Sequence, residues 1–320
     1  MLWGELPCAA DAPVLTIDPG TEVTIDTISH EGVLEDQGRD PDAYFRGHGA
    51  DEVLEDAIAL AASGRVRGPG PHVVTGPIAV RGAQPGDLLA MTLVEALPRV
   101  PYGVISNRHQ RGALPRHYPV DGRTVSIFAG VDGDAGTIAR VAGGPRDVRF
   151  PLAPFLGIMG VAVAGAERPD SVPPGLHGGN IDINLLTVGS TLFLPVQVPD
   201  ALAYVGDPHF AQGDGEVALT AMEASLRVTV RFDVVPAGGG VVEGPFAETA
   251  EHLIPTGLDA DLDVAMEHCV RNAIALLRDR YGMDAEHAYA YLSAATDFDI
   301  SQVVDRVKGV HARIRKADFA

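Results

Sequence analysis

The chain has 320 residues, 46% hydrophobic and 21% charged, so a sizeable core is expected and intrinsic disorder is not. Its 24 basic residues stand against 43 acidic ones, and the net charge of -19 repels phosphate backbones and anionic lipid surfaces. Neither nucleic acid nor a membrane is therefore an expected partner, whereas a small neutral substrate is indifferent to this field and metal cations are drawn in.

Val14–Ile28 alternates on both sides of Asp18-Pro19-Gly20 and predicts a hairpin. His30 and Glu31 follow it, and the polar stretch from Leu34 to Gly49 reads as a loop too rich in Gly, Pro and Asp for a regular element. Asp51–Ala62 is a short helix candidate with Gly64 behind it. His72–Leu97 again reads as strand, Gln84-Pro85-Gly86-Asp87 turn, strand. Pro101–His117, which holds His109, is expected to be an irregular loop; short strands follow near Thr124–Ala129, Thr137–Val141 and Ile158–Ala164.

Ala224–Val235 alternates as a strand, with Val241–Phe246 as its expected partner. Leu258–Tyr281 then changes period: Leu262, Met266, Val270, Ala273 and Leu277 mark one face of a helix, with acids in its first turn, arginines in its last and Gly282 beyond. Asp284–Ala295 predicts a second helix. The expected fold class is α+β, mainly β: a sandwich- or barrel-like body with a helical segment near the carboxyl end. The expected division is a β-rich catalytic body at 1–250, with a soft boundary near 145–170, and a helical annex at 251–320.

Cys8 and Cys269 are the only cysteines and form no CxxC, so a disulfide framework and a cysteine zinc site are both unsupported. The amino terminus lacks the basic flank and apolar run of a secretory signal, and Leu156–Ala166, the longest apolar run, is short and broken by glycine. A cytoplasmic protein is expected.

Chemistry concentrates in His177–Glu223, where histidines and carboxylates crowd the two ends of an apolar strand. Asp207 and His209 lie two apart, which on a strand points both side chains to one face, and that pair suits a divalent ion. A polar turn explains the same two residues about equally well. Gly178 and Gly179 let backbone amides approach a developing negative charge, while Asn180, Asp182 and Asn184 would put three polar groups on one strand face, which costs free energy unless they are paired or coordinated. Glu223 opens a strand and could serve as general base; a solvated glutamate is the plainer alternative. Gln212, Asp214 and Glu216 extend the acidic run, and His30, Glu31 and His109 are outlying candidates in loops. Ser190 lies outside any G-x-S-x-G elbow and Cys269 lies mid-helix, so a nucleophile supplied by the chain is poorly supported.

The run HGGNIDINLLTVGSTLFLPVQVPDALAYVGDPHFAQGDGEVALTAME closely resembles the signature region of the acetamidase/formamidase family, as do GPIAVRGAQPGDLLAMTL, SNRHQRGALP, HLIPTGLDADLDVAMEHCVRNAIALL and SQVVDRVKGVHARIRK. SHEGVLEDQGRDPDAYF looks more like the acetamidase branch. The resemblance implies hydrolysis of short aliphatic amides to carboxylate and ammonia by a β-rich, metal-dependent homo-oligomer (dimer or higher).

On this reading a divalent metal, with zinc the first choice, is held by His177, Asp207 and His209, completed by Asp182 or by His30 and Glu31. Glu223, or failing that Glu31, moves the proton; Gly178 and Gly179 hold the oxyanion; Asn180, His109 and Gln212 contact substrate. A non-catalytic metal-binding protein and a hydrolase of another linear or cyclic C–N bond stay open as alternatives.

Overall fold

Alternation decides which side of a strand is buried: along Leu226–Val235, Leu226, Val228, Val230 and Phe232 are buried while Arg227 and Arg231 face solvent. Repeated through the chain, this pattern builds two sheets whose apolar faces meet. The structure, a computed structural model, describes residues 1–131, 138–141, 148–237 and 244–319.

Among the described residues the first sheet has eleven strands, eight of them in the order Leu2–Trp3, Val73–Val80, Ala203–Ala211, Met222–Glu223, Tyr102–Arg108, Thr124–Val131, Ile138–Val141, Val148–Pro151. Phe155–Val161 pairs beside Ala203–Ala211, Gly178–Asn180 pairs with Phe155–Val161, and Leu15–Ile17 joins Val73–Val80 in parallel. The second sheet has eight strands among the described residues, in the order Asp297–Gln302, Lys308–Arg315, His252–Asp259, Phe246–Glu248, Thr191–Pro195, Leu88–Pro98, Leu226–Val235, Thr21–Asp26. Val80, Phe155, Met159 and Val205 of the first sheet share one core with Leu89, Met91, Val228 and Phe232 of the second. Each such side chain contributes about 1.5–3 kcal/mol by leaving water.

The mainly β body with helices near its carboxyl end is the architecture expected from the sequence, but both expected hairpins are replaced by something else. Leu15–Ile17 pairs with Ile78–Val80 in the first sheet, while Thr21–Asp26 pairs with Arg227–Phe232 in the second. The Asp18 turn is present, with Thr21 N–H donating to Asp18 O at 3.2 Å, and it carries the chain from one sheet to the other. Gln84–Asp87 does the same between Val73–Val80 and Leu88–Pro98. Proline and glycine fix a local reversal; they do not choose the neighbouring strand.

Two expected loops contain regular structure. Tyr102–Arg108 is a strand of the first sheet, and Pro41–Gly47 is a helix, α1, with proline in its first turn and the Asp40 carboxylate accepting from Ala43 N–H at 3.0 Å. The next helix, α2, spans Glu55–Ala62. Thr137 and residues 241–243 of the expected strands lie outside the described residues; Ile138–Val141 and Phe246–Glu248 are strands.

Helix α3, Leu262–Tyr281, starts where Asp261 accepts from Asp263 N–H at 2.9 Å and stops at Gly282, whose φ of 66° is left-handed. Helix α4, Ala285–Ala295, is capped by Asp284. The face of α3 turned inward carries Ala265, Cys269, Ala273, Leu276 and Leu277, rotated from the Met266–Val270 stripe expected. The cause is close approach: a Cβ on Gly257, in the strand beneath, would lie 2.9 Å from Cys269 Cα, so only small residues fit between helix and strand. Residues 251–320 also supply the strands His252–Asp259, Asp297–Gln302 and Lys308–Arg315 to the second sheet.

Candidate active site

The strand Ala203–Ala211 lies inside the first sheet, and its carboxyl half carries Asp207 and His209 into a buried polar cluster. Neighbouring strands bring the rest: Glu223 sits opposite His209 in register, His72 immediately precedes Val73–Val80, and Asp182 follows Gly178–Asn180. His30 enters from the segment after Thr21–Asp26. His209 Nε2 lies 3.2 Å from Asp207 Oδ2 and 3.1 Å from Glu223 Oε1, and His30 Nδ1 lies 3.3 Å from Asp207 Oδ1. His72 Nε2 is 3.7 Å from Asp207 Oδ2, and Asp182 Oδ1 is 4.0 Å from His209 Nδ1.

Space for this crowd is made by Gly157. A Cβ there would stand 2.7 Å from His209 Cε1 and 2.8 Å from Asp207 Oδ2. Backbone strain gathers at the same place: Asp182, Asp207 and Glu216 adopt φ of 47°, 50° and 44°, a left-handed conformation unusual for residues with a side chain and concentrated at functional sites.

These close contacts are not aligned hydrogen bonds. Both His209 ring nitrogens, His30 Nδ1, both Asp182 oxygens, Asp207 Oδ1 and Glu223 Oε2 are buried without a hydrogen-bond partner among the described residues. So many unsatisfied buried acceptors would be costly in an apolar interior, and the cost is removed if the lone pairs converge on cations. Three sets have donor atoms close enough to share an ion: His30, His72 and Asp207; Asp207, His209 and Glu223; Asp182, His209 and Glu216. Imidazole nitrogens mixed with carboxylate oxygens fit a divalent metal.

Electrostatics without a cation are correspondingly tense. Burial opposes charge on His30, but Glu223, Asp207 and Glu31 outweigh it and raise its pKa to about 10. His209 is likewise pushed up by Glu223 and Asp207 against burial. Burial lowers His72 to about 4. Asp207 is held well below the usual carboxylate range, burial being overcome by His72 and His209. Burial pushes Asp182 and Glu216 up, with added repulsion from Glu216 on the first and from Asp305 on the second, and burial raises Glu223. A ligating imidazole must give up its proton, so metal uptake here releases protons.

Asp305 offers a test, since burial raises its pKa to about 7 from 3.8. The native state then keeps a proton that the unfolded chain has lost, so this group's contribution is fully present below pH 3.8 and disappears as pH rises through about 7. In metal-free protein, Asp305→Asn is expected to gain stability relative to wild type as pH rises from 4 to 8, by up to about 4 kcal/mol, read from urea unfolding of the two proteins side by side at each pH.

A cavity of about 680 Å³ opens onto His30, His72, Asn180, Asp207, Glu223 and Asp305. His72 and Asp305 carry no local signal that singles them out, and Glu216 stood in the sequence only as part of an acidic run. Asn180 lines the cavity with its Oδ1 unpartnered.

Other expected site residues lie elsewhere or play other parts. His177 belongs to none of the three ligand sets; its ring is enclosed by Gly175 and Gly179, and burial lowers its pKa to about 4. The Gly178 amide already donates to Gly175 O at 2.9 Å, so it is not free to receive an oxyanion, and neither Gly178 nor Gly179 lines the cavity. Gln212 holds the Asp182 carbonyl from Nε2 at 2.9 Å and braces the site from behind. His109 contacts Pro119 O at 3.2 Å, outside the cavity lining. Glu31 is saturated: Ser106 Oγ donates to it at 2.6 Å, Arg108 lies 3.2 Å away, and the Gln37 amide adds a further bond. Against burial, His30 and Arg108 lower its pKa to about 2, which makes it a poor proton acceptor and a good brace for His30 Nε2 at 3.4 Å.

The profile of the acetamidase/formamidase family matches residues 65–168 and 163–313. A Schizosaccharomyces pombe protein carrying a provisional formamidase name is 30% identical over 217 residues, and the match spans 52% of each chain, about half of that relative's length. The formamidase of Methylophilus methylotrophus is 27% identical over 299 residues, 73% of each chain. A crystal structure of acetamidase from Yersinia enterocolitica superposes with a TM-score of 0.79 at 25% identity, covering 100% of this chain and 90% of that one.

Proposed function

The chain belongs to the acetamidase/formamidase family, and from that premise we propose that its buried cavity hydrolyses short aliphatic amides to a carboxylate and ammonia. The observation that carries the reading is the convergence of unpartnered imidazole and carboxylate atoms from separate strands onto one cavity.

His30, His72 and Asp207, together with His209, Asp182 and Glu216, would hold the divalent ion or ions, with zinc favoured by the nitrogen and oxygen donor set. Such an ion supplies Lewis acidity and eases deprotonation of water near neutral pH. The chain does the rest. Glu223 takes a proton from the attacking water on Oε2, the oxygen with no hydrogen-bond partner, and returns it to the nitrogen that leaves. Asn180 orients the amide from its own unpartnered oxygen, which can accept from the substrate NH₂. Glu31, fixed by Ser106 and Arg108, sets the ring plane of His30.

The proposal includes a cytoplasmic homo-oligomer. Buried unpaired Cys8 and Cys269 are in keeping with a reducing compartment, and exposed apolar side chains such as Leu176, Val188 and Tyr289 with subunit contacts. Among the described residues no helix is long and apolar enough to cross a membrane.

Ammonia release from formamide, acetamide, propionamide, a lactam and a carbamate tests the function. Turnover of at least one linear amide is expected, falling below about a tenth after chelation and returning with zinc. Metal-loaded protein that releases no ammonia from any linear amide sinks the proposal.

A further inference from the structure

The cavity is far larger than the substrates named so far. At about 680 Å³ it holds many times the volume of acetamide, which occupies roughly that of three water molecules at ~30 Å³ each. Its lining is also graded by depth. The titratable cluster at the bottom is buried, Leu34, Val172, Leu219 and Val304 form an apolar girdle of buried or half-buried side chains, and arginines stand toward solvent.

Four arginines line this cavity, and three are neutralised. Arg67 pairs with Glu35 at 3.1 Å, Arg108 with Asp36 at 2.7 Å, and Arg306 with Asp170. Arg111 has no carboxylate partner among the described residues. Its backbone is nonetheless fixed: its N–H donates to Arg108 O at 3.0 Å, and the loop is tied to the cavity wall by Ala113 N–H to Val217 O at 2.8 Å and Asn107 Nδ2 to Ala218 O at 2.6 Å. In a chain with a net charge of -19, an unmatched guanidinium at the mouth of a cavity is a place for a carboxylate.

We propose that the cavity accepts amides whose acyl chain ends in a carboxylate, the monoamides of short dicarboxylic acids, and that Arg111 anchors that carboxylate. The aliphatic part of the substrate lies along the apolar girdle and the amide reaches the buried cluster. The reaction balances as plain hydrolysis: the C–N bond breaks, water supplies the new C–O bond, its proton goes to the leaving nitrogen, and a dicarboxylate and ammonia result. This specificity rests on the amidase reading above. The anchor acts at contact range, so its effect falls on KM rather than on long-range steering.

The test compares malonamate, succinamate and glutaramate with uncharged amides of matched shape, in which an isopropyl group replaces the CH₂-linked carboxylate terminus (3-methylbutanamide, 4-methylpentanamide and 5-methylhexanamide). For the wild-type enzyme loaded with zinc, at least one acid is expected to exceed its neutral partner in kcat/KM by about fivefold or more. Arg111→Gln should collapse that ratio through KM, Arg111→Lys restore part of it, and Arg111→Glu invert it. Because both substrates are read on the same preparation, a partly folded variant does not disturb the ratio. Neutral amides turned over as well as their acidic partners, or a ratio unmoved by Arg111→Gln, overturn the anchor and leave the amidase standing. No ammonia from any amide, charged or neutral, brings down both.

Discussion

Asp207→Asn is expected to lower ammonia release from acetamide by about 10³-fold or more and to reduce the metal content of the purified protein, with the fold retained. Asp207 is shared by two of the three ligand sets and touches three imidazoles, His30, His72 and His209. Changing a residue that only orients a ligand costs about 10–100-fold, and removing the charge common to two sets should cost more. Asparagine is the informative substitute because it tolerates the left-handed backbone, φ of 50°, that Asp207 adopts. Alanine would add backbone strain to the loss of charge and confuse the two. Elemental analysis, turnover and a melting curve on one preparation separate the cases: a variant with full metal content and wild-type turnover removes Asp207 from the centre of the site.

What the sequence made legible was local. Asp207-x-His209 on an apolar strand required only the two-residue period of a strand, and those two side chains lie 3.2 Å apart in the cluster. Alternation gave Leu226–Val235 its buried face, and caps gave α3 and α4 their starts and α3 its stop. The rest was set by partners far along the chain. His72 and Asp305 reach the cavity because Val73–Val80 adjoins Ala203–Ala211 and because the segment after Asp297–Gln302 returns to it, which no neighbouring residue signals. His177 is a ligand candidate in the sequence because it heads the crowded stretch; in the fold its ring sits instead in the room left by Gly175 and Gly179. Glu223 stands ahead of Glu31 as proton carrier in the sequence, and the physical ground for that order is visible only in the fold, where Arg108, Ser106 and Gln37 saturate Glu31 while Oε2 of Glu223 has no hydrogen-bond partner.

That contrast gives the second large expected effect. Glu223→Gln should reduce kcat by about 10²–10⁴-fold with KM little changed, since the residue acts on the proton in flight and not on ground-state binding. The substitution is close to isosteric. In the native site Glu223 Oε1 accepts from Ala221 N–H at 3.2 Å and lies 3.1 Å from His209 Nε2, contacts that a glutamine carbonyl can keep. What it cannot do is take a proton. A carboxylate accepts a proton only while ionised, so wild-type kcat should fall at acid pH as Glu223 becomes protonated. In the glutamine variant this acid limb should vanish from whatever activity remains. Glu31→Gln is the matched comparison: its loss should be nearer tenfold, because it loosens His30 without touching the transferred proton. Metal content measured beside both rates guards against the other role open to Glu223, since it also sits within ligand distance of Asp207 and His209. A slow Glu223→Gln enzyme that has kept its metal and lost its acid limb identifies a proton carrier; one that is slow only in proportion to lost metal identifies a ligand.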